Sequence, residues 1–221
     1  MSPQILIGLY TEGTTDVRFL TSIIKRTFEE ISYECKGEIE ILDIQNFKIA
    51  KTTFAEDVVE AIKAGTKNYG ITILCIHADA DDSTETNCFQ NRINPAMAEV
   101  ENLKENDICK IIVPLIPVQM TESWMLADKE LLKREIGTSK TNQELDIYKH
   151  PEQYANPKET IENAIRIARQ EKTKRHRREL KIADLYLPIG QSVDLNKLKQ
   201  LTSYIKFQEN VRNALVKLNY L

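Results

Sequence analysis

The sequence has few of the features that mark membrane or secreted proteins. Its apolar runs fall well short of the roughly 18 residues that a transmembrane helix requires. The most apolar stretch, 111–118, is interrupted by Pro114 and Pro117. No basic and apolar leader of the secretory kind precedes the first apolar run. We therefore expect a cytosolic protein without a membrane partner.

Cysteine and histidine are also scarce, which limits the metals and redox chemistry to consider. The four cysteines form no CxxC pair, and the three histidines are scattered along the chain. These spacings argue against the common zinc sites and against a disulfide framework. We expect reduced thiols, in keeping with a cytosolic location.

Charged residues are plentiful but unevenly placed. The formal net charge is −3, yet 166–181 contains eight Lys or Arg against two Glu. On a helix, four of these basic residues would share one face and could contact successive phosphates of DNA or RNA. A solvated surface helix is the alternative. The residues predicted to bind nucleic acid are Lys174, Arg175, Arg177, Arg178 and Lys181.

Strand and helix patterns alternate through the first 136 residues. The predicted strands are 4–10, 38–44, 71–77 and 110–118, and the predicted helices are 14–34, 52–67, 95–106 and 121–134. This order predicts an α/β fold: a mostly parallel four-stranded sheet of Rossmann-like type, flanked by helices.

The remainder of the chain has a different pattern. Residues 137–156 are polar and lack periodicity, which predicts a loop or linker after a first domain over 1–136. Residues 157–221 have helical spacing and are expected to form a C-terminal region packed on the core. Within that region, the Leu-Pro-Ile-Gly sequence at 187–190 predicts a turn.

Two of the predicted strands end in acidic residues. Glu12 and Asp16 follow the first, and Asp79 and Asp81 follow the third. Sites in open parallel sheets form at the carboxyl ends of strands, so neighbouring strands would bring these side chains together. Such carboxylates repel one another unless a cation lies between them. Hard oxygen donors favour Mg²⁺ or Mn²⁺, which indicates a metal site acting on phosphates.

All of the acidic candidates except Glu12 also have a simpler interpretation. Asp79 and Asp81 would point the same way in extended backbone, as two ligands of one cation must, but 79–83 could equally be a solvated turn. Asp16 could merely complement the dipole of the helix that it begins. Glu122, near a predicted helix start, could do the same.

These residues resemble a known family. The matching motif is Glu12-Gly13-x-Thr15-Asp16 after one strand and Asp79-x-Asp81 two strands later. It resembles the Toprim domain, over roughly residues 4–118. The stretch from Pro114 to Asp128 further resembles small stand-alone bacterial Toprim-like proteins, which are related to nucleases of the overcoming-lysogenization-defect type.

The resemblance implies specific roles. Glu12 would act in acid/base chemistry or on metal, and Asp79 and Asp81 would hold Mg²⁺, so these three are the predicted catalytic residues. Glu122 or Asp128 could help to bind a second metal ion. The predicted metal ligands are Glu12, Asp16, Asp79, Asp81 and Glu122. No Arg-Glu pair follows Asp81 and no motif places a nucleophilic tyrosine, so hydrolysis is expected rather than strand passage.

The sequence thus favours a Mg²⁺- or Mn²⁺-dependent nuclease that cuts DNA or RNA. The resemblance also suggests a phage-defence or toxin system, a partner ATPase and a homodimer. The alternative is a non-catalytic protein that uses a Toprim-like core to bind nucleic acid or a partner. A phosphatase with an aspartyl nucleophile at Asp79 ranks last, because no glycine-rich phosphate loop supports it.

Overall fold

The computed structural model describes residues 2–47, 49, 52–105, 107–170 and 180–221. Its strands are β1 (Gln4–Ile5), β2 (Ile7–Tyr10), β3 (Glu40–Ile41), β4 (Gln45–Asn46), β5 (Ile73–His77) and β6 (Ile112–Leu115). β4, β2, β5 and β6 form one sheet in that order, while β1 pairs with β3. Every pairing is parallel.

Helices alternate with these strands and then continue alone. They are α1 (Thr14–Ser32), α2 (Phe54–Tyr69), α3 (Thr86–Cys88), α4 (Asn94–Glu101), α5 (Glu122–Met125), α6 (Lys129–Ile136), α7 (Pro157–Arg169), α8 (Tyr186–Ser192), α9 (Leu195–Leu198) and α10 (Thr202–Lys217). A π-helical turn over Phe89–Ile93 joins α3 to α4. Short 3-10 helices cover Pro151–Gln153 and Ile182–Asp184. The predicted α/β class with a parallel, helix-flanked sheet is confirmed.

The long helices α1 and α2 lie where their apolar spacing predicts them. Thr53 caps α2: its hydroxyl accepts from the Glu56 backbone N–H at 3.3 Å, and the Glu56 carboxylate accepts from the Thr53 N–H at 3.1 Å. Gly70 ends the helix with a φ of 71°, a left-handed conformation that costs glycine little. Local sequence signals therefore fix both ends of α2.

Several predicted elements have different bounds. The strand expected at 4–10 is divided into β1 and β2, which belong to different sheets, and the helix expected at 95–106 is α4, which ends at Glu101. The strand expected at 38–44 is replaced by the two-residue strands β3 and β4, which pair with different partners. The helix expected at 121–134 is divided into α5 and α6. Asp128 causes the division, because its carboxylate accepts from the Leu131 N–H at 3.0 Å and so starts a new helix.

The turn predicted at 187–190 is wrong, because these residues lie within α8. Pro188 is in the first turn of that helix, where a missing N–H costs no intrahelical hydrogen bond. Gly190 lies where α8 crosses α1 at close range. A Cβ there would collide with the Phe19 carbonyl oxygen and lie 2.8 Å from the Phe19 Cα.

Alternate strand residues pack into two layers, one on each face of the sheet. Ile7, Leu9 and Cys75 pack with α1, α8 and α10, whereas Leu74 and Ile76 pack with α2 and α4. This arrangement covers both faces and leaves the carboxyl ends of the strands open as a site.

The segment 137–156 contains turns and the 3-10 helix, with no strand or α-helix. Two of its apolar side chains, Leu145 and Ile147, are completely buried in the same cluster as α1 and α10. In the part of the chain that the structure describes, no helix is long and apolar enough to span a bilayer.

Candidate metal centre

The strands that carry the two acidic segments are neighbours. β2 pairs with β5 in parallel, with Tyr10 opposite Ile76. Glu12 therefore follows the end of one strand, and Asp79 and Asp81 follow the end of the next. The condition on which the predicted site depended, adjacency of these strands, is met.

Asp79 is the most firmly held of the acidic side chains. Its Oδ1 accepts a hydrogen bond from the Thr121 backbone N–H at 2.7 Å and another from the Thr121 hydroxyl at 3.2 Å. No described residue donates a hydrogen bond to Oδ2. Thr121, just before α5, thus orients the carboxylate and leaves one oxygen for a ligand.

A buried histidine lies behind this carboxylate. The Nε2 of His77 is 2.9 Å from the Thr121 hydroxyl and 3.3 Å from Asp79 Oδ1. Since the hydroxyl donates to Asp79, it accepts from His77. Burial opposes ionisation of Asp79, but His77 and then Thr121 hold its pKa below the ordinary value. Asp79 is therefore ionised at neutral pH.

We expected Asp79 and Asp81 to lie in extended backbone, but Asp81 does not. Its φ is 51°, and Gln119 opposite has a φ of 61°. The Asp81 N–H donates to the Gln119 carbonyl at 2.8 Å, which holds both residues in the left-handed region. Such conformations are uncommon outside glycine and concentrate at functional sites. Burial and the charge of Asp79 raise the pKa of Asp81.

Asp16 lies in the first turn of α1, with its carboxylate folded back over Gly13. A Cβ on Gly13 would collide with that carboxylate. Burial raises the pKa of Asp16, and the negative charge of Asp79 adds to the shift. Asp16 thus lies at the same edge of the sheet as Asp79.

Glu122 is buried at the start of α5. Its carboxylate accepts a hydrogen bond from the Tyr186 hydroxyl of α8. Burial raises the pKa of Glu122, against the effect of that hydrogen bond, and the charge of Asp79 adds to the increase. The pKa of Tyr186 is raised by burial and by Glu122. The C-terminal helices therefore contribute directly to the candidate site.

Glu12 pairs with a positively charged side chain that the sequence did not indicate. It forms an ion pair with Arg92 of the π-helical turn. The Arg92 guanidinium also lies over the Phe54 ring, 4.7 Å from its centroid. No motif pointed to Arg92, because the contact joins segments 80 residues apart in sequence. Thr121 and Tyr186 were missed for the same reason, whereas His77 is close to Asp79 in sequence but belongs to no motif.

A metal-binding arrangement is only partly formed. Among the described side chains, no three of Asp, Glu, His or Cys converge closely enough to make a complete metal site. The donor chemistry nonetheless fits a hard divalent cation. Asp79 is ionised with an available oxygen, and its charge adds to the effect of burial in raising the pKa of both Asp16 and Asp81.

Comparison with known families decides where the chain belongs. Residues 11–206 match the family described as a domain of unknown function, DUF4276. The match covers most of the 221 residues. The protein belongs to the DUF4276 family. Comparison with curated proteins and with solved structures gives no match.

The DUF4276 match includes every residue of the candidate site. It starts just before Glu12 and continues beyond α8, so both the acidic residues and Tyr186 lie within it. The domain thus combines the sheet edge with helices that follow the sheet in sequence.

The basic segment of this DUF4276 protein, 166–181, is described only at its two ends, 166–170 and 180–181. Lys174, Arg175, Arg177 and Arg178, all predicted to bind nucleic acid, lie outside the described residues. Lys181 is described: its backbone N–H donates to Asp184 Oδ2 at 2.9 Å, at the start of a 3-10 helix. Its role in binding nucleic acid stays a prediction.

Proposed function

We propose that this DUF4276 protein is a metal-dependent nuclease of Toprim type that hydrolyses phosphodiester bonds of DNA or RNA. The observation that carries the proposal is the adjacency of β2 and β5, which brings Glu12, Asp79 and Asp81 to one sheet edge. The parallel, helix-flanked sheet is consistent with a Toprim-like core.

Asp79 and Asp81 would hold Mg²⁺ or Mn²⁺, with Glu12 as a third ligand or as the acid/base group. A bound cation would activate water and neutralise negative charge on the phosphodiester. Asp79 is suited to this role because Thr121 fixes its orientation and it is ionised at neutral pH. Asp16 lies at the same edge as a further candidate ligand.

Glu122 would assist from the start of α5, near enough to Asp79 to be affected by its charge. Its raised pKa, caused first by burial, favours a proton on this carboxyl at a higher pH than for an exposed glutamate. A buried carboxyl of this kind is a candidate proton donor to a leaving group. Tyr186 holds its position from α8.

The proposal extends to the substrate and the partners of the protein. A nucleic-acid substrate would contact the basic residues near 174–181, and the resemblance to Toprim nucleases suggests a partner ATPase, a homodimer and a cytoplasmic role in phage defence. These partners would be sought by pull-down from cells that express the protein.

The test is cleavage of mixed DNA and RNA substrates with EDTA, Mg²⁺ or Mn²⁺. Wild type is compared with Glu12→Gln and Asp79→Asn, for which we expect a loss of about 10²-fold or more. Asp43→Asn is the matched control, because Asp43 is an exposed carboxylate that pairs with Lys25 at 2.5 Å. Metal-independent cleavage, or full activity in both site variants, would refute the proposal.

Two observations favour the non-catalytic alternative. Glu12 is engaged by Arg92, and the described side chains do not form a complete metal site. A binding module would hold nucleic acid without cutting it. An Asp79→Asn, Asp81→Asn double variant that retains all nucleic-acid binding, in a protein that cleaves nothing, would support this alternative.

A further inference from the structure

Arg92 lies beside the acidic edge but belongs to neither strand loop. Its side chain is 29% exposed, and the π-helical turn that carries it is a local irregularity of a kind often found at functional sites. The Phe54 ring supports the guanidinium from one side, 4.7 Å away. The ring limits the positions that Arg92 can adopt and keeps its charge at the edge of the site.

Among the described residues, Glu12 is the ion-pair partner of Arg92, and its side chain is 49% exposed. Since this pair is open to solvent, Arg92 and Glu12 can each leave the other for a new ligand at modest cost in free energy. An arginine guanidinium stays protonated in proteins, so Arg92 keeps its charge if it exchanges Glu12 for another anion. Arg92 also lies close enough to Asp81 to interact with its charge.

Two ligands of opposite charge would compete with this pair. A divalent cation at Asp79 and Asp81 would attract the Glu12 carboxylate, and a phosphate would attract the Arg92 guanidinium. The planar guanidinium donates two parallel hydrogen bonds to phosphate oxygens as readily as to a carboxylate. The ion pair thus occupies both a metal-ligand position and an anion-binding position.

We propose that Arg92 is the phosphate-binding residue of the site and that Glu12 takes the place of the phosphate in the free protein. When a phosphodiester oxygen binds to Arg92, Glu12 is released to the cation at Asp79 and Asp81. This inference rests on the proposed function for the role of Glu12 on metal. It adds the substrate group that is recognised and the residue that recognises it.

The exchange predicts effects of opposite sign on the two ligands. Arg92→Gln frees Glu12, so Mn²⁺ should bind roughly 5-fold or more tightly, while phosphate binding is lost. Glu12→Gln frees Arg92, so phosphate should bind more tightly and Mn²⁺ more weakly. Arg92→Lys keeps the charge but not the paired geometry, and should weaken phosphate binding with little change for Mn²⁺.

Mn²⁺ affinity is measured by the EPR signal of free Mn²⁺, with no nucleic acid present. Phosphate binding is measured in EDTA by the anisotropy of a short fluorescein-labelled oligothymidylate at several salt concentrations. Loss of one phosphate contact should reduce the slope of log affinity against log salt by about 0.7. Circular dichroism of each variant checks that it is folded.

The matched control is the Arg212–Glu34 pair, an exposed ion pair at 2.7 Å that joins α10 to the turn that follows α1. Arg212→Gln and Glu34→Gln make the same charge changes away from the site. They correct for the general effect of net charge on both ligands. We expect neither control to reproduce the opposite signs.

The inference is overturned if Arg92→Gln weakens Mn²⁺ binding or leaves it unchanged, or if oligonucleotide binding and its salt slope do not change. The proposed function fails separately. If Arg92→Gln binds Mn²⁺ more tightly and phosphate more weakly, but the wild type cleaves no substrate, the ligand exchange is supported and the nuclease function is refuted. If the wild type shows metal-dependent cleavage, but the Arg92 variants bind both ligands as wild type does, the nuclease function is supported and the ligand exchange is refuted.

Discussion

The carboxyl groups at the sheet edge have pKa values shifted in different directions, although they lie close together. Asp79 is held low by His77 and Thr121, against the effect of burial. Burial and the charge of Asp79 hold Asp16, Asp81 and Glu122 high. Separation of pKa values within one cluster is typical of sites where one group stays charged and another carries a proton.

The Glu122→Gln variant tests how the negative charge of Glu122 affects the stability of the fold. Because the pKa of Glu122 is raised in the folded state, the native protein binds this proton more tightly than the unfolded chain does. The wild type should therefore lose unfolding free energy as pH rises from the ordinary glutamate range through the raised pKa. Glutamine keeps an oxygen for the Tyr186 hydroxyl without a charge.

We expect the stability of Glu122→Gln to be similar to that of wild type near pH 4 and greater at neutral pH, by about 1 kcal/mol. Urea unfolding at a series of pH values measures this difference. Glu60→Gln, at an exposed position of α2, should show no such trend. A Gln variant that is less stable than wild type at neutral pH would mean that the charge of Glu122 is compensated in the fold.

At the scale of single residues, the sequence identifies the acidic residues of the site better than the side chains that contact them. Glu12, Asp79 and Asp81 are recognisable because each follows an apolar strand, which is a local signal. Arg92 and Thr121 carry no such signal, since their contacts with Glu12 and Asp79 join distant segments. The left-handed backbone at Asp81 is equally invisible in sequence, because aspartate is compatible with many turn conformations.

At the scale of elements, the site depends on how closely α8 approaches α1. α1 begins next to Glu12 and carries Asp16, and α8 begins with Tyr186, which holds Glu122. Arg26 of α1 donates hydrogen bonds to the carbonyls of Gly190 and Val193 at 2.8 and 2.7 Å and so satisfies the end of α8. The two helices therefore position the site together.

Gly190→Ala tests this contact. A Cβ at position 190 would collide with the Phe19 backbone, which cannot move without shifting α1. We expect the unfolding free energy, measured in urea, to fall by about 1–3 kcal/mol. Gly37→Ala is the control, because a Cβ at Gly37 meets no atom within 4 Å. Equal stability of the two variants would mean that α8 can move away from α1 freely.

Element order could be predicted because periodicity is local, but several bounds could not. Apolar spacing gave α1 and α2, and the threonines at 52–53 indicated the start of α2, which the structure shows to be a capping box of Thr53 and Glu56. The division at Asp128 was missed because its capping hydrogen bond interrupts an otherwise continuous helical pattern. The helix at 187–190 was missed because proline and glycine usually mark turns.

At the scale of the whole molecule, one hydrophobic cluster joins segments from both ends of the chain. Ile7 and Leu9 of the sheet, Leu145 of the segment before α7, and Phe207 of α10 all belong to it. The packing of α10 is also polar and specific: Asn210 donates a hydrogen bond from Nδ2 to the Pro114 carbonyl at 3.0 Å. Helical spacing predicted helices in this region but not the strand on which α10 packs.

This shared cluster predicts that the sheet and the C-terminal helices unfold together. Trp124, the single tryptophan of the chain, is fully buried against Tyr204 and Phe207, and its Nε1 donates to the Ser203 hydroxyl at 2.8 Å. Its fluorescence therefore reports the packing of α10, whereas circular dichroism reports all helices. In urea, we expect both signals to follow one transition with the same midpoint, as two-state unfolding requires. A fluorescence change at clearly lower urea would show that α10 separates first and that the sheet is stable without it.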